Sequence, residues 1–240
     1  TGMIVGSLPF AHYLAMVRGG WRSLLNDPQV RLFLILAVGL VLLLIWHLMQ
    51  TGLGFGQAVR QASFNGVSIM TGTGYVSANF SAWGGFATTI LLIVMFIGGC
   101  GGSTTCGIKV FRLQVLASTA KVQISRLLRP HAVVLAYYNK RPVSVEVMDS
   151  VMGFFYLFIL GFVLIAIMLG IAGLDFVTAL SGAATSISNV GPGLGEVIGA
   201  DGNFSTLPNS AKWTMSFAML LGRLEIFTVL VMLNPAFWQR

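Results

Sequence analysis

Thr71-Gly72-Thr73-Gly74-Tyr75 sits inside a run, residues 61–108, that contains no Asp, Glu, Lys or Arg. A water-soluble domain with so long an uncharged stretch would aggregate, so the run belongs in or against lipid. A plain membrane helix would not carry two glycines and two threonines at its centre. The run also exceeds the ~20 helical residues that one crossing needs. It reads as a dip into the membrane, a turn, and a full crossing back. Irregular backbone at membrane depth persists only where it is buried or lines a cavity. Residues 71–75 are therefore the first candidate functional segment.

The rest of the composition agrees. Of 240 residues, 56% are hydrophobic and only 9% charged, with a mean hydropathy of +0.85; soluble domains carry roughly 25% charged residues. An integral membrane protein is expected. Two cysteines in no metal-ligand spacing argue against a disulfide framework or a zinc site. No cleavable signal peptide is visible, and the opening Thr1-Gly2-Met3-Ile4-Val5 looks like the tail of a preceding helix, so the chain reads as a fragment. The net charge of +7 is unevenly placed. Arg18, Arg22 and Arg31 flank the first long apolar run, and Lys109, Arg112, Lys121, Arg126, Arg129, Lys140 and Arg141 fill a central connection. Lys and Arg resist translocation, which puts these groups and Arg240 in the cytoplasm. They sit at helix ends and not on one soluble face, which argues against nucleic acid as a partner.

The expected fold class is an all-α membrane protein of tandem helix–pore-helix–filter–helix repeats. Residues 1–27 end a preceding unit and form a cytoplasmic connection. Residues 28–145 hold one unit: a span at 32–49 started by Asp27 and Pro28, a half-helix at 57–70, a turn at 71–75, and a span at 84–128 broken by a glycine-rich stretch. Residues 146–240 repeat the plan: a span at 150–174, a half-helix at 175–187 capped by Asp175, a turn at 188–192, and a return span at 210–233. An offset of 117 superposes the halves, pairing Ser68 with Thr185, Thr71 with Ser188, Thr73 with Val190 and Gly74 with Gly191. Both units follow a cytoplasmic basic stretch, so they form a parallel repeat about the membrane normal, a feature common in transport proteins.

A half-helix that stops inside the membrane aims its unpaired, partially negative carbonyl end at the interior. The following residues, Thr71, Gly72, Thr73 and Gly74 in one unit and Ser188, Asn189, Val190 and Gly191 in the other, are mostly small or hydroxyl-bearing. Such residues let several carbonyls turn toward one axis. Rings of carbonyl oxygens can replace the hydration shell of a monovalent cation. No carboxylate sits in either turn, which favours K⁺ or a similar ion over a divalent one. The candidate ion contacts are Thr71, Gly72, Ser188 and Asn189; no covalent cofactor is expected. A glycine turn that serves only helix packing is the plainer reading of either turn alone, and two turns at matched positions weigh against it.

The repeated unit with Thr-Gly-Thr-Gly-Tyr looks like a degenerate K⁺-channel filter. The stretch Ile97-Gly98-Gly99-Cys100-Gly101-Gly102-Ser103-Thr104-Thr105-Cys106-Gly107-Ile108-Lys109 resembles the third-repeat break of the bacterial Trk/Ktr/HKT potassium-transporter superfamily, closest to TrkH. Gly222-Arg223-Leu224-Glu225-Ile226 resembles the matching piece of the fourth repeat. The resemblance covers nearly the whole chain. It implies the C-terminal half of a subunit whose N-terminal half supplies two more units, with Thr1 to Val17 ending the second unit. It further implies potassium uptake at the bacterial inner membrane, a homodimer, and a cytoplasmic TrkA-like nucleotide-binding regulatory partner. Family filters centre on one glycine per repeat, here Gly74 and Gly191. Pro192 is atypical and points to a looser filter.

Arg223 lies in an apolar span, roughly 14 residues or ~21 Å in from Asn209, and Gly98 to Gly102 lies ~24 Å in from Ser81. The two features are thus expected at similar depth, below the filter. An arginine there costs ~2.5–3.5 kcal/mol on insertion scales and needs acceptors. The freed carbonyls of Gly98, Gly99, Cys100, Gly101, Gly102, Ser103, Thr104 and Thr105 are the available ones. Loop and arginine together are the expected closed gate; pairing of Arg223 with Glu225 is the plainer reading, but positions i and i+2 do not face each other on a helix. A phosphate loop is argued against by the missing Gly-Lys-[Ser/Thr] ending. Cys100 and Cys106 lack a His or acid companion and read as packing residues.

Asn79-Phe80-Ser81 and Asn203-Phe204-Ser205 match glycosylation sequons that would mean nothing in a bacterial protein, and Trp83 and Trp213 read as interface or packing aromatics. His12, His47 and His131 fall at expected helix ends and form no catalytic set, so no enzyme is expected. A Na⁺- or H⁺-coupled cation symporter is the alternative within transport, with Glu225 the one candidate carboxylate. A non-transport membrane scaffold is the alternative outside it. Arg126 to Arg141 is a candidate docking or lipid-facing surface.

Overall fold

The computed structural model describes residues 1–18, 24, 26–129, 134–139 and 141–238. Arg22, His131, Lys140 and Arg240 lie outside the described residues. The fold is helical apart from a two-residue antiparallel ladder, Tyr137–Tyr138 with Arg141–Pro142, in the central connection.

The first crossing helix is Pro28–Gln50. Asp27 caps it by accepting from the Gln29 N–H at 2.7 Å, while its other carboxylate oxygen meets His12 Nε2 at 2.6 Å. Proline at the first helical position loses no bond, since that N–H has no intrahelical partner. Val30, Phe33, Ala37, Leu40, Leu44 and Leu48 form its buried stripe, and Ile35, Val38, Leu42 and Trp46 are apolar but exposed. A helix apolar all round is suited to lipid or to further protein, not to water. The second crossing helix, Val145–Ile171, is built the same way. Both end on left-handed glycines: Gly52 donates to Met49 and Leu53 to Leu48, and Gly173 donates to Gly170 and Leu174 to Leu169. This paired bonding satisfies the last carbonyls of each helix and turns the chain sharply.

Each crossing helix is followed by a shorter one, Phe55–Met70 and Phe176–Ser188. The second is buried on every side from Thr178 to Ser188 except at Leu180, and its residues there are mostly Ala, Ser, Thr and Gly. Small side chains let it pack between Val145–Ile171 and Asn209–Leu224. The return helix of the first unit runs Gly85–Met95, breaks, and resumes at Val110–Leu128.

The return helix of the second unit differs from the continuous run expected at 210–233. It runs Asn209–Leu224, bends by 103°, and continues as Ile226–Leu233. The bend sits at Glu225, whose φ of 61° no right-handed helix accommodates. Before the first unit, the chain forms Gly2–Gly6 and Phe10–Val17 with a break at Ser7 to Pro9.

Candidate functional site: two turns, a glycine loop and an arginine

The two turns repeat the same bonds. Thr73 N–H donates to Ser68 O at 2.9 Å, and Val190 N–H donates to Thr185 O at 3.0 Å. Gly72 donates to Ile69 O at 3.1 Å, and Asn189 to Ser186 O at 3.2 Å. Each pair obeys the offset of 117. Gly72, Gly74, Asn189 and Gly191 all have positive φ, at 63°, 76°, 54° and 115°. The chain thereby leaves each half-helix abruptly, inside the protein.

The turns also meet. A side chain on Gly74 would put its Cβ 2.3 Å from the Val190 carbonyl oxygen, and one on Gly191 would lie 3.5 Å from the Gly74 Cα. A Cβ on Gly72 would be 3.5 Å from the Asn189 oxygen. Pro192 packs on the same point, with its Cδ 3.2 Å from that Gly74 position. Among the described residues, the carbonyl oxygens of Thr71, Gly72, Thr73, Asn189 and Val190 accept no hydrogen bond from the protein. Thr71 and Val190 are buried, Gly72 and Asn189 half-buried and Thr73 exposed, so these oxygens border an open space and not a sealed core. The Ser68, Ser186 and Ser188 hydroxyls nearby are buried and unpartnered as well, whereas Thr71 Oγ1 is bonded to Val67 O and Thr73 Oγ1.

Thr71, Thr73 and Tyr75 share a cavity of ≈ 360 Å³ with Ser7 and Thr104, so turn and glycine loop border one space. The loop is closed at its base, where Gly98 donates to Ile108 O and Ile108 to Phe96 O. Only glycine fits at 98, where a Cβ would stand 2.0 Å from Cys106 O. Thr105 Oγ1 accepts from Gly99 N at 2.7 Å and contacts Ser103 Oγ at 2.8 Å. The loop is stitched outward to the N-terminal break: Cys100 N donates to Ser7 O at 2.9 Å, and Phe10 N to Gly102 O at 3.1 Å. Gln29 Oε1 of the first crossing helix accepts from Gly101 N at 2.9 Å.

Arg223 reaches this loop. Its Nη1 donates to Thr104 O at 3.0 Å and lies 3.4 Å from Cys106 Sγ. Glu225 is engaged elsewhere, by Lys109 Nζ at 3.4 Å and Arg112 Nη2 at 3.0 Å. The Arg223–Glu225 pairing considered above is therefore not what forms. Outside the membrane segments, burial raises the Tyr138 phenol to about 12, the Asp27 carboxylate adding to the effect and a Gln29 hydrogen bond opposing it.

A family model described as TrkH, cation transport protein, matches residues 16–240. The chain belongs to the TrkH family. It is 44% identical over 239 residues to the Trk system potassium uptake protein TrkI of Halomonas elongata, covering 99% of this chain and 48% of that protein. It is 37% identical over 238 residues to the Trk system potassium uptake protein TrkH of Vibrio parahaemolyticus, covering 95% and 47%. The crystal structure of the potassium transporter TrkH from Vibrio parahaemolyticus superposes with a TM-score of 0.88 at 35% identity, covering 98% of this chain and 51% of that one. The chain spans about half the length of the relatives it matches. The mostly helical fold is the one expected from the sequence and is shared with that crystal structure.

Three features of the site escape a reading of the sequence. Gly222 is one: a Cβ there would stand 1.9 Å from Ile187 O, so the return helix touches the end of the half-helix. Asn65 is another; its Oδ1 accepts from Ser77 N at 2.9 Å and pins the irregular segment leaving the turn. The third is the Lys109–Arg112–Glu225 cluster, whose only signal was one acid in an otherwise acid-free tail after Asp201. The two sequon-like tripeptides have a structural role: Asn79 and Asn203 each accept from the N–H two residues on and open a short 3₁₀ turn.

Proposed function

We propose that this chain forms half of a gated potassium-uptake pore in the bacterial inner membrane. The carrying observation is that two matched turns meet with their main-chain oxygens unspent. Such oxygens can stand in for water around a dehydrated K⁺ ion. Thr71, Gly72, Thr73 and Gly74 with Ser188, Asn189, Val190 and Gly191 are the filter segments, and the ion contacts are Thr71, Gly72, Ser188 and Asn189. The names of the relatives, potassium uptake proteins, support the choice of ion.

Gly98 to Thr105 and Arg223 form the gate in this reading. A fixed guanidinium held to Thr104 O, in a loop that shares a cavity with the filter, opposes a cation by charge and by bulk. Symport would call for a carboxylate free to bind the coupling ion. Glu225 is held by two cations, which favours passive, gated flux. The homodimer and the TrkA-like nucleotide-binding partner belong to the same reading through the family resemblance. The test is rubidium uptake by the complete subunit in liposomes under imposed K⁺ and Na⁺ gradients. Arg223→Ala is expected to raise uptake; equal uptake in variant and parent would remove the gate role.

A further inference from the structure

The bend at Glu225 and the glycine loop are joined at two points, not one. Arg223 holds the middle of the loop through Thr104 O. Glu225 holds its exit: Lys109 directly precedes the helix Val110–Leu128 and Arg112 lies in that helix's first turn. The Arg112 guanidinium is fixed in turn against the second crossing helix, 3.7 Å from the centre of the Phe154 ring. These groups face a single cavity of ≈ 150 Å³ lined by Thr104, Cys106, Lys109, Arg112, Arg223 and Glu225. Glu225 is the one anion among three cations there. Its backbone is left-handed, a conformation an ordinary side chain keeps only when its surroundings hold it.

We infer that Glu225 is a positioning residue of the gate: its carboxylate clamps the loop exit to the bend, and so keeps Arg223 seated on Thr104. This deepens the gate reading above and rests on it. The clamp ties the loop to the bend after Asn209–Leu224, so the two move as one body. Without the carboxylate, Lys109, Arg112 and Arg223 line one cavity with no anion among its lining residues, and like charges repel. The loop exit then separates from the bend, and the arginine loses its seat.

Two effects of charge must be told apart. If Glu225 acted only by attracting K⁺ to the pore, Glu225→Gln would lower flux and Lys109→Gln would raise it. A clamp moves both in the same direction, because each substitution removes the Lys109–Glu225 contact, and Glu225→Gln removes the Arg112 contact with it. The experiment uses the complete subunit in liposomes, on a Cys100→Ala parent, and reads rubidium uptake together with the rate at which a neutral maleimide modifies Cys106. Glu225→Gln and Lys109→Gln are each expected to raise both readouts by about 5-fold, the low end of coupling between sites. The double variant should go little further than either single, since partners in one interaction are not additive. Opposite directions of flux, an additive double variant, or an unchanged Cys106 rate would overturn the clamp. Should Glu225→Gln fail to fold, Lys109→Gln and Arg112→Gln carry the same expectation on the Cys106 rate. Arg223→Ala in parallel separates the two proposals. Raised flux there with no effect of Glu225→Gln sinks the clamp alone; no effect of Arg223→Ala sinks the gate and the clamp with it.

Discussion

Two glycines with the same backbone angle show what decides function at single positions. Gly74 and Gly102 both have φ of 76°. An alanine at either meets the left-handed penalty of roughly 1–2 kcal/mol. At Gly102 nothing lies within 4 Å of the new Cβ, whereas at Gly74 it would stand 2.3 Å from the Val190 oxygen. Gly102→Ala should therefore cost a little stability and leave the two turns in contact, while Gly74→Ala should abolish rubidium flux by pushing the turns apart. Gly222→Ala is expected to be the more damaging to the fold. Its Cβ would fall 1.9 Å from Ile187 O, so the end of a buried half-helix must move. Overpacking of this kind costs roughly 1–3 kcal/mol or more, visible as a lower Tm of the detergent-solubilised subunit. Gly74 and Gly191 were legible because the turn that needs them is local in sequence. Gly222 was not, because its constraint comes from a carbonyl thirty-odd residues away that only the packed helices bring near.

Among elements, each half-helix needs a defined start so that its last turn reaches the point where the two turns meet. Asp175 starts the second one, accepting from Thr178 N–H at 3.1 Å. Hydrogen bonds from Thr178, side chain first and then backbone, hold its carboxyl below the usual aspartate range. A carboxylate lowered on folding adds stability that is fully present above its unfolded value and is lost as the pH falls through the folded one. Asp175→Asn, which still caps but carries no charge, should leave Tm nearly unchanged at neutral pH and remove this part of its decline in acid. Asp175→Ala should lower Tm at both, by the ~0.5–2 kcal/mol of a lost cap. The caps and half-helices were readable from residue type and length. The 103° bend was not: no glycine or proline marks it, and Glu225 takes its left-handed backbone in the company of Lys109 and Arg112, more than a hundred residues upstream.

Across the whole molecule the two units are joined at three depths. At the outer rim, Asn79 Nδ2 donates to Asp201 at 2.5 Å, and Ser81 Oγ to Gly195 O at 3.0 Å. Where the two turns meet, Gly74 lies against Val190 and Gly191. At the inner level, Arg223 meets Thr104, and Glu225 meets Lys109 and Arg112. The matched bonds of the two turns follow the offset of 117 that the sequence shows, because matched bonds need matched residues. The contacts between the units were not visible, since nothing in either half's pattern records what the other half touches. Their depths set their worth. Asn79 and Asp201 are both in contact with water, where a bond to a carboxylate is exchanged for hydration at small net gain. At the inner level the Arg112 guanidinium is largely shielded, and one carboxylate joins two cations at once. Asp201→Ala is therefore expected to change rubidium flux less than about 2-fold, the scale of a net contribution near 0.5 kcal/mol. Arg112→Gln, which loosens the deepest link, should change it by more. If the rim variant had the larger effect, the coupling between units would run through the outer loops, and the inner contacts would be a consequence of the pore's shape and not its control.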